Sequence, residues 1–217
     1  MPRLLNADWG NNMKKLTAIA GCVLAAGCVT QQADTGSGLN TEAIFKAGFS
    51  QGNAALAARV SVQDDVQTQC SKFRDKPSKE IAANIEKQQL SSVKFPEKLM
   101  GDWKKGEKIA QDGWGMRFTD MKDSNPNRPN GGNCYACHQI APQELSYGTL
   151  GPSLYRFGAL RGNSAEIQKY TWGKIANPQA YSACSNMPRF GHNKILTDEQ
   201  ISDLVALLLD PESPANK

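Results

Sequence analysis

Cys134 and Cys137 are two residues apart and His138 follows at once, in the run Cys-Tyr-Ala-Cys-His. Two thiols at this spacing with an imidazole directly after them form the pattern by which a haem is covalently attached. The thiols add across the haem vinyl groups as thioethers, and the histidine is thereby held under the iron as its proximal ligand. The chain has only two histidines, and this run uses one of them. A zinc site would need a second ligand pair, whereas Cys70 and Cys184 stand isolated. A thioredoxin-type redox pair belongs in a βαβ setting, and no strand pattern surrounds this run. One covalently attached haem c, held by Cys134 and Cys137, is the expectation.

A haem pocket needs more than its attachment point. Pro152, in Gly151-Pro152-Ser153-Leu154, offers a carbonyl with no N–H of its own. Its expected task is to accept a hydrogen bond from Nδ1–H of His138, fixing the ring tautomer and raising ligand basicity. The second axial ligand is expected on a later loop. Met187, in Asn186-Met187-Pro188-Arg189-Phe190-Gly191, lies just ahead of the last helix, and Pro188 stiffens its loop. The other histidine, His192, is the alternative. Thioether ligation raises the potential relative to two histidines and suits an acceptor of electrons. Arg189 is either a partner for a haem propionate or a solvated loop charge.

Six cysteines are present in all. Cys70 and Cys184 remain once Cys134 and Cys137 are assigned and Cys22 and Cys28 are placed in the N-terminal apolar segment. In an exported protein such a pair most simply forms a disulfide; alternatively Cys184, three residues before Met187, is a reactive thiol or an iron ligand.

Helices must position these groups. Thr197 with Gln200 makes a capping box, and Ile201, Leu204, Val205 and Leu208 follow at helical spacing until Pro211 ends the run. An earlier helix is predicted over Asp102–Asp112, with Gly106, Ile109 and Ala110 on one face and Gly106 allowing close approach. A middle helix is predicted over Ser164–Ala176; its Tyr170 and Trp172 either face the haem edge or pack in the core. Residues 98–213 thus read as an all-α haem domain. Residues 41–97 read as a helical extension, with pieces at Thr41–Val60 and Ser78–Leu90, too thin in large apolar side chains for a core of their own. The mixed charges at 72–80 read as a solvated face.

Met13-Lys14-Lys15, an apolar run and Leu24-Ala25-Ala26-Gly27-Cys28 form a secretory signal over 1–27, with translation starting at Met13 and a lipid-modified Cys28 expected. The apolar run is too short for a spanning helix. Residues 28–40 read as a flexible linker. The destination is the periplasm, with attachment to a membrane only through Cys28. Formal charge is +4, and the chain beyond residue 27 carries 22 basic and 20 acidic residues, net +2. That is too near neutral to point to a nucleic-acid binder, for which clustered Lys and Arg interleaved with aromatics are expected.

Cys-Tyr-Ala-Cys-His, Gly-Thr-Leu-Gly-Pro-Ser-Leu, Asn-Met-Pro-Arg-Phe-Gly and the tail Val-Ala-Leu-Leu-Leu-Asp-Pro-Glu-Ser-Pro together resemble the SoxX family over residues 100–217. These are monohaem cytochrome c subunits of the SoxAX sulfur-oxidation complex. The resemblance implies a class I cytochrome c fold, with Cys134 and Cys137 as attachments and His138 and Met187 as axial ligands. It implies a SoxA-like partner subunit that carries the catalytic cysteine, a SoxYZ-like carrier and a downstream cytochrome c. The implied activity joins thiosulfate to a carrier cysteine, with this chain accepting the electrons. A free-standing electron shuttle is the alternative. The extension and Cys70 exceed the short form of that family.

Overall fold

The last helix is set by its own sequence. In the computed structural model, which describes residues 40–48, 62–115, 120 and 127–217, it runs over Asp198–Leu209. Thr197 Oγ1 accepts from the Gln200 N–H, and Gln200 Oε1 accepts in return from the Thr197 N–H. Both donors would otherwise be orphaned at the helix start. The chain before it carries six more α-helices among the described residues: α1 (Thr41–Gly48), α2 (Asp65–Lys72), α3 (Lys79–Ser92), α4 (Trp103–Gln111), α5 (Phe157–Arg161) and α6 (Ala165–Ala176). The last helix is α7. No strand occurs among the described residues. None of the described helices is long and apolar enough to cross a membrane. Residues Thr41–Lys217 form one compact unit. The predicted signal segment at 1–27, all of the predicted linker but Asn40, and residues 49–60 of the predicted Thr41–Val60 helix lie outside the described residues.

Helix α7 is buried along its whole length from Ile201 to Leu209, not on the four predicted positions alone. It is covered from several sides. Helix α4 crosses it where Gly106 meets the Asp203 carbonyl, so closely that a Cβ there would lie 2.1 Å from that oxygen. Helix α6 lies against another side, and its Trp172 Nε1–H donates to Ser202 Oγ at 3.2 Å. Trp172 is 2% exposed and its ring packs on Phe95 at 5.5 Å, so it serves the core. Tyr170 sits edge-on to Tyr181. The C-terminal turn Pro214–Asn216 closes the end of α7. Asn216 Nδ2 donates to the Leu208 and Asp210 carbonyls, and Ser213 Oγ donates to the Leu207 carbonyl. The open carbonyls of the last turn are thereby satisfied.

The extension lies on this domain. The piece predicted over Ser78–Leu90 is α3: Ser78 caps it, accepting from the Ile81 N–H, and the helix continues to Ser92, two residues beyond the expected end. Helix α2 was not anticipated, because Val66 and Cys70 are its only buried residues. Its start did carry a signal: Asp64 and Gln67 form a second capping box. Val66, Cys70, Ile85 and Cys184 make a small second core, with Ile81 and Ala183 packed on it. That core takes Cys184 from the loop ahead of α7, so the extension does not complete it alone. The charged stretch 72–80 is largely exposed, as predicted.

Candidate haem site

The Cys-Tyr-Ala-Cys-His run is fastened to the end of α4 by its backbone. Gly132 N–H donates to the Ile109 carbonyl at 2.8 Å, and Asn133 N–H to the Asp112 carbonyl at 2.9 Å. Asn133 then turns the chain in the left-handed region, φ 46°, which asparagine tolerates better than most residues. A 3₁₀ turn at Cys134–Ala136 follows, and His138 N–H returns to the Cys134 carbonyl at 2.9 Å. The turn brings both cysteines and the histidine into one short segment.

The loop 148–154 is zipped to the same segment. Gly148 N–H donates to Tyr135 O, Gly151 N–H to Cys137 O and Leu154 N–H to Gln139 O, each at 2.8 Å. This registration delivers the expected contact: His138 Nδ1 lies 2.7 Å from the Pro152 carbonyl oxygen. A carbonyl only accepts, so Nδ1 carries the proton and Nε2 keeps its lone pair. Gly151 makes room for the ring. A Cβ there would lie 2.2 Å from His138 Cε1 and 2.5 Å from Nδ1.

Cys134 and Cys137 are free thiols, whereas Cys70 and Cys184 are joined in a disulfide with a Cα–Cα distance of 5.4 Å. The alternative of Cys184 as a reactive thiol or iron ligand is thereby removed. Cys70, Cys184 and Asp75 also fall within metal-binding reach of one another, but bridged sulfurs offer no thiolate. Burial pushes the Cys134 thiol up to about 12.

Met187 is half-buried and packs against the main core, as do Cys134 and Leu154; Tyr135, Ile140, Phe190 and Leu196 are buried within that core. The loop carrying Met187 and the haem-attachment run therefore meet one apolar cluster. His192 is engaged elsewhere: its Nε2 lies 3.3 Å from Arg189 Nη1 and 3.9 Å from Asp64 Oδ2. Arg189 departs from both readings made of it. It is neither a solvated charge nor a free propionate partner, being 6% exposed with Nη2 donating to Asp64 Oδ2 at 2.5 Å. A buried guanidinium needs such a partner, and this one lies 125 positions away, beyond any local pattern.

The same cluster makes the fold sensitive to acid. Burial and the Arg189 charge hold the His192 pKa below its ordinary 6.5, against the pull of Asp64. Burial raises the Asp64 carboxyl, but the Gln67 N–H and the Arg189 guanidinium outweigh it and leave the pKa below 3.8. For both groups the unfolded chain binds protons more readily. Their contributions are complete above the unfolded values and are lost as pH falls through the folded ones. Melting temperature is expected to drop as pH falls below about 6.5, with a second loss below about 3.8. His192→Gln should flatten the first of these losses in a thermal-denaturation series across pH and leave the second.

Two unpaired thiols and an imidazole with a fixed tautomer form a donor set that fits a covalently bound haem. Residues 130–210 match the Cytochrome c family model. A relative described as an uncharacterized lipoprotein, from Aquifex aeolicus (strain VF5), is 39% identical over 166 residues, 75% of this chain and 75% of that protein. The chain belongs to the same family as that protein, and its C-terminal part is an all-α class I cytochrome c domain with covalently attached haem c and a role in electron transfer.

Proposed function

We propose that this chain is the electron-accepting subunit of a SoxAX-like complex. In this reading Cys134 and Cys137 would hold the haem, and His138 and Met187 would be the side chains that bind its iron. The bound group supplies a one-electron iron couple. The chain's own residues orient and shield it: the Pro152 carbonyl keeps His138 Nε2 free for the metal, and the core around Met187 excludes water. No base–nucleophile pair is assigned to this chain, and the catalytic cysteine is placed on a SoxA-like partner.

The overall reaction joins thiosulfate sulfur to a cysteine thiolate of a SoxYZ-like carrier. One S–S bond forms and two electrons leave. A one-electron couple held by this subunit would have to be used twice per bond formed, each electron going on to another cytochrome c. The observation that carries the reading is the Met187–Gly191 segment, which resembles that family in sequence and lies against the same core as the attachment run. A periplasmic location, with an acyl anchor at Cys28, accords with the lipoprotein description of the relative.

The test is affinity capture of the tagged holoprotein from thiosulfate-grown source cells, read by mass spectrometry and haem staining. A stoichiometric second c-type cytochrome is expected, with thiosulfate-dependent reduction of this haem only when that partner and a carrier are present. A monomer reduced equally well by unrelated donors would replace this reading with a free-standing electron shuttle.

A further inference from the structure

Helix α2 touches the loop that carries Met187 at two points, one on each side of it. At its start, Asp64 uses one carboxylate oxygen to cap the helix, accepting from the Gln67 N–H at 2.9 Å, and the other to accept from Arg189, two residues after Met187. Near its end, Cys70 is bonded to Cys184, three residues before Met187. Six residues of helix rise about 9 Å, a rigid span between the two anchors. The intervening stretch has local hydrogen bonds only: the Ser185 N–H donates to the Ser182 carbonyl at 3.2 Å and the Met187 N–H to Ser185 Oγ at 3.3 Å.

Other features agree. Cys184 sits in the left-handed region, φ 58°, which a non-glycine residue occupies at a cost and which the bridge holds in place. The Ala183 N–H beside it donates to Glu86 Oε1 of α3 at 3.0 Å. After Arg189 the chain is pinned to the haem domain itself, where the Gly191 and His192 N–H groups share the Ala176 carbonyl. Between these anchors the Met187 side chain packs on the main core, and the extension ties the chain on either side of it.

We propose that α2 is a two-point brace, with Asp64, Arg189, Cys70 and Cys184 as positioning residues that keep the Met187 thioether in place. This rests on Met187 being the sixth ligand. The extension then belongs to the electron-transfer machinery, because it suppresses the open-loop state in which an outside molecule can take the sixth position. Such a molecule binds only the open state, so its apparent affinity rises in proportion to the open fraction.

The experiment titrates imidazole into oxidised holoprotein, following the far-red thioether-to-iron charge-transfer band, the reduction potential, and amide hydrogen exchange across residues 182–192. Asp64→Asn and the double variant Cys70→Ser/Cys184→Ser should each bind imidazole about tenfold tighter or more, with faster exchange confined to that loop. Combining them should add to the effect, and Asp64→Glu should restore affinity. Ser164 Oγ caps α6 by accepting from the Ile167 N–H at 3.4 Å; Ser164→Ala removes that cap, controls for destabilisation as such and should leave imidazole affinity unchanged. If the cysteine variant does not accumulate, Asp64→Asn and its rescue decide alone. A wild-type thioether band together with unchanged imidazole affinity in both braced-site variants would overturn the brace and leave the ligand assignment standing. A wild-type band that persists in Met187→Leu, or no such band at all, would overturn the ligand assignment and the brace with it.

Discussion

Gly151→Ala is expected to cut the yield of haem-bearing protein by about tenfold or more while leaving the polypeptide expressed. The new methyl would sit 2.2 Å from Cε1 of His138 and 2.5 Å from Nδ1, inside any permissible contact. The loop cannot retreat easily, because the Gly151 N–H is bonded to the Cys137 carbonyl at 2.8 Å and the neighbouring Pro152 carbonyl to the ring. The imidazole must therefore turn away. It then loses the bond that sets its tautomer, worth about 1 kcal/mol directly, and the alignment of Nε2, which matters more for a ligand. Haem staining normalised to immunoblotted protein measures the effect. Haem content and a visible spectrum equal to those of the parent would show that the ring is not held as described.

The largest stability effect is expected at the α4–α7 crossing. Alanine normally favours a helix over glycine by about 1 kcal/mol. At Gly106 the sign should reverse. The added carbon would lie 2.1 Å from the Asp203 carbonyl oxygen and 2.7 Å from its carbon, both backbone atoms of the facing helix. Relief requires the two helices to part along the most extensive helix–helix contact among the described residues, opening the core around Ala110, Leu204 and Leu207. Gly106→Ala should cost about 2–4 kcal/mol and lower the melting temperature by roughly 5–15 °C. Gly48→Ala, at a helical position with nothing among the described residues within 4 Å of the added carbon, should be neutral or slightly stabilising. Calorimetry on the two variants separates packing from propensity; equal melting temperatures would mean that the helices tolerate a wider crossing.

Where information was local, it was legible. The capping box at Thr197 and the helical spacing in α7 each place an element from a few adjacent residues. The His138–Pro152 contact was legible for the same reason, since a separation of fourteen positions leaves the chain little freedom once the loop 148–154 is hydrogen-bonded back to the attachment run. Helix α2 was hidden because its buried side is only Val66 and Cys70, too narrow for an apolar pattern, although the Asp64–Gln67 box marked its start. Arg189 was illegible in a stronger sense. Its partner lies in the extension, and no local rule tells a paired buried guanidinium from a solvated one. The end of the C-terminal motif, which served only as a likeness, turns out to be structural: Ser213, with Asn216 just beyond the motif, closes the last turn of α7.

The disulfide encloses 114 positions of chain, and Cys134 and Cys137 lie within that ring. This sets a problem of assembly order. Four thiols allow three pairings, and the two nearest in sequence meet far more often than Cys70 and Cys184, whose closure entropy is larger. Left to an oxidant alone, the newly made chain would bridge the wrong pair first and consume the groups needed for thioether formation. Correct maturation therefore demands that one pair be kept reduced while the other is oxidised. Alternatively, the haem must be attached before oxidation, so that only one pairing remains to be made.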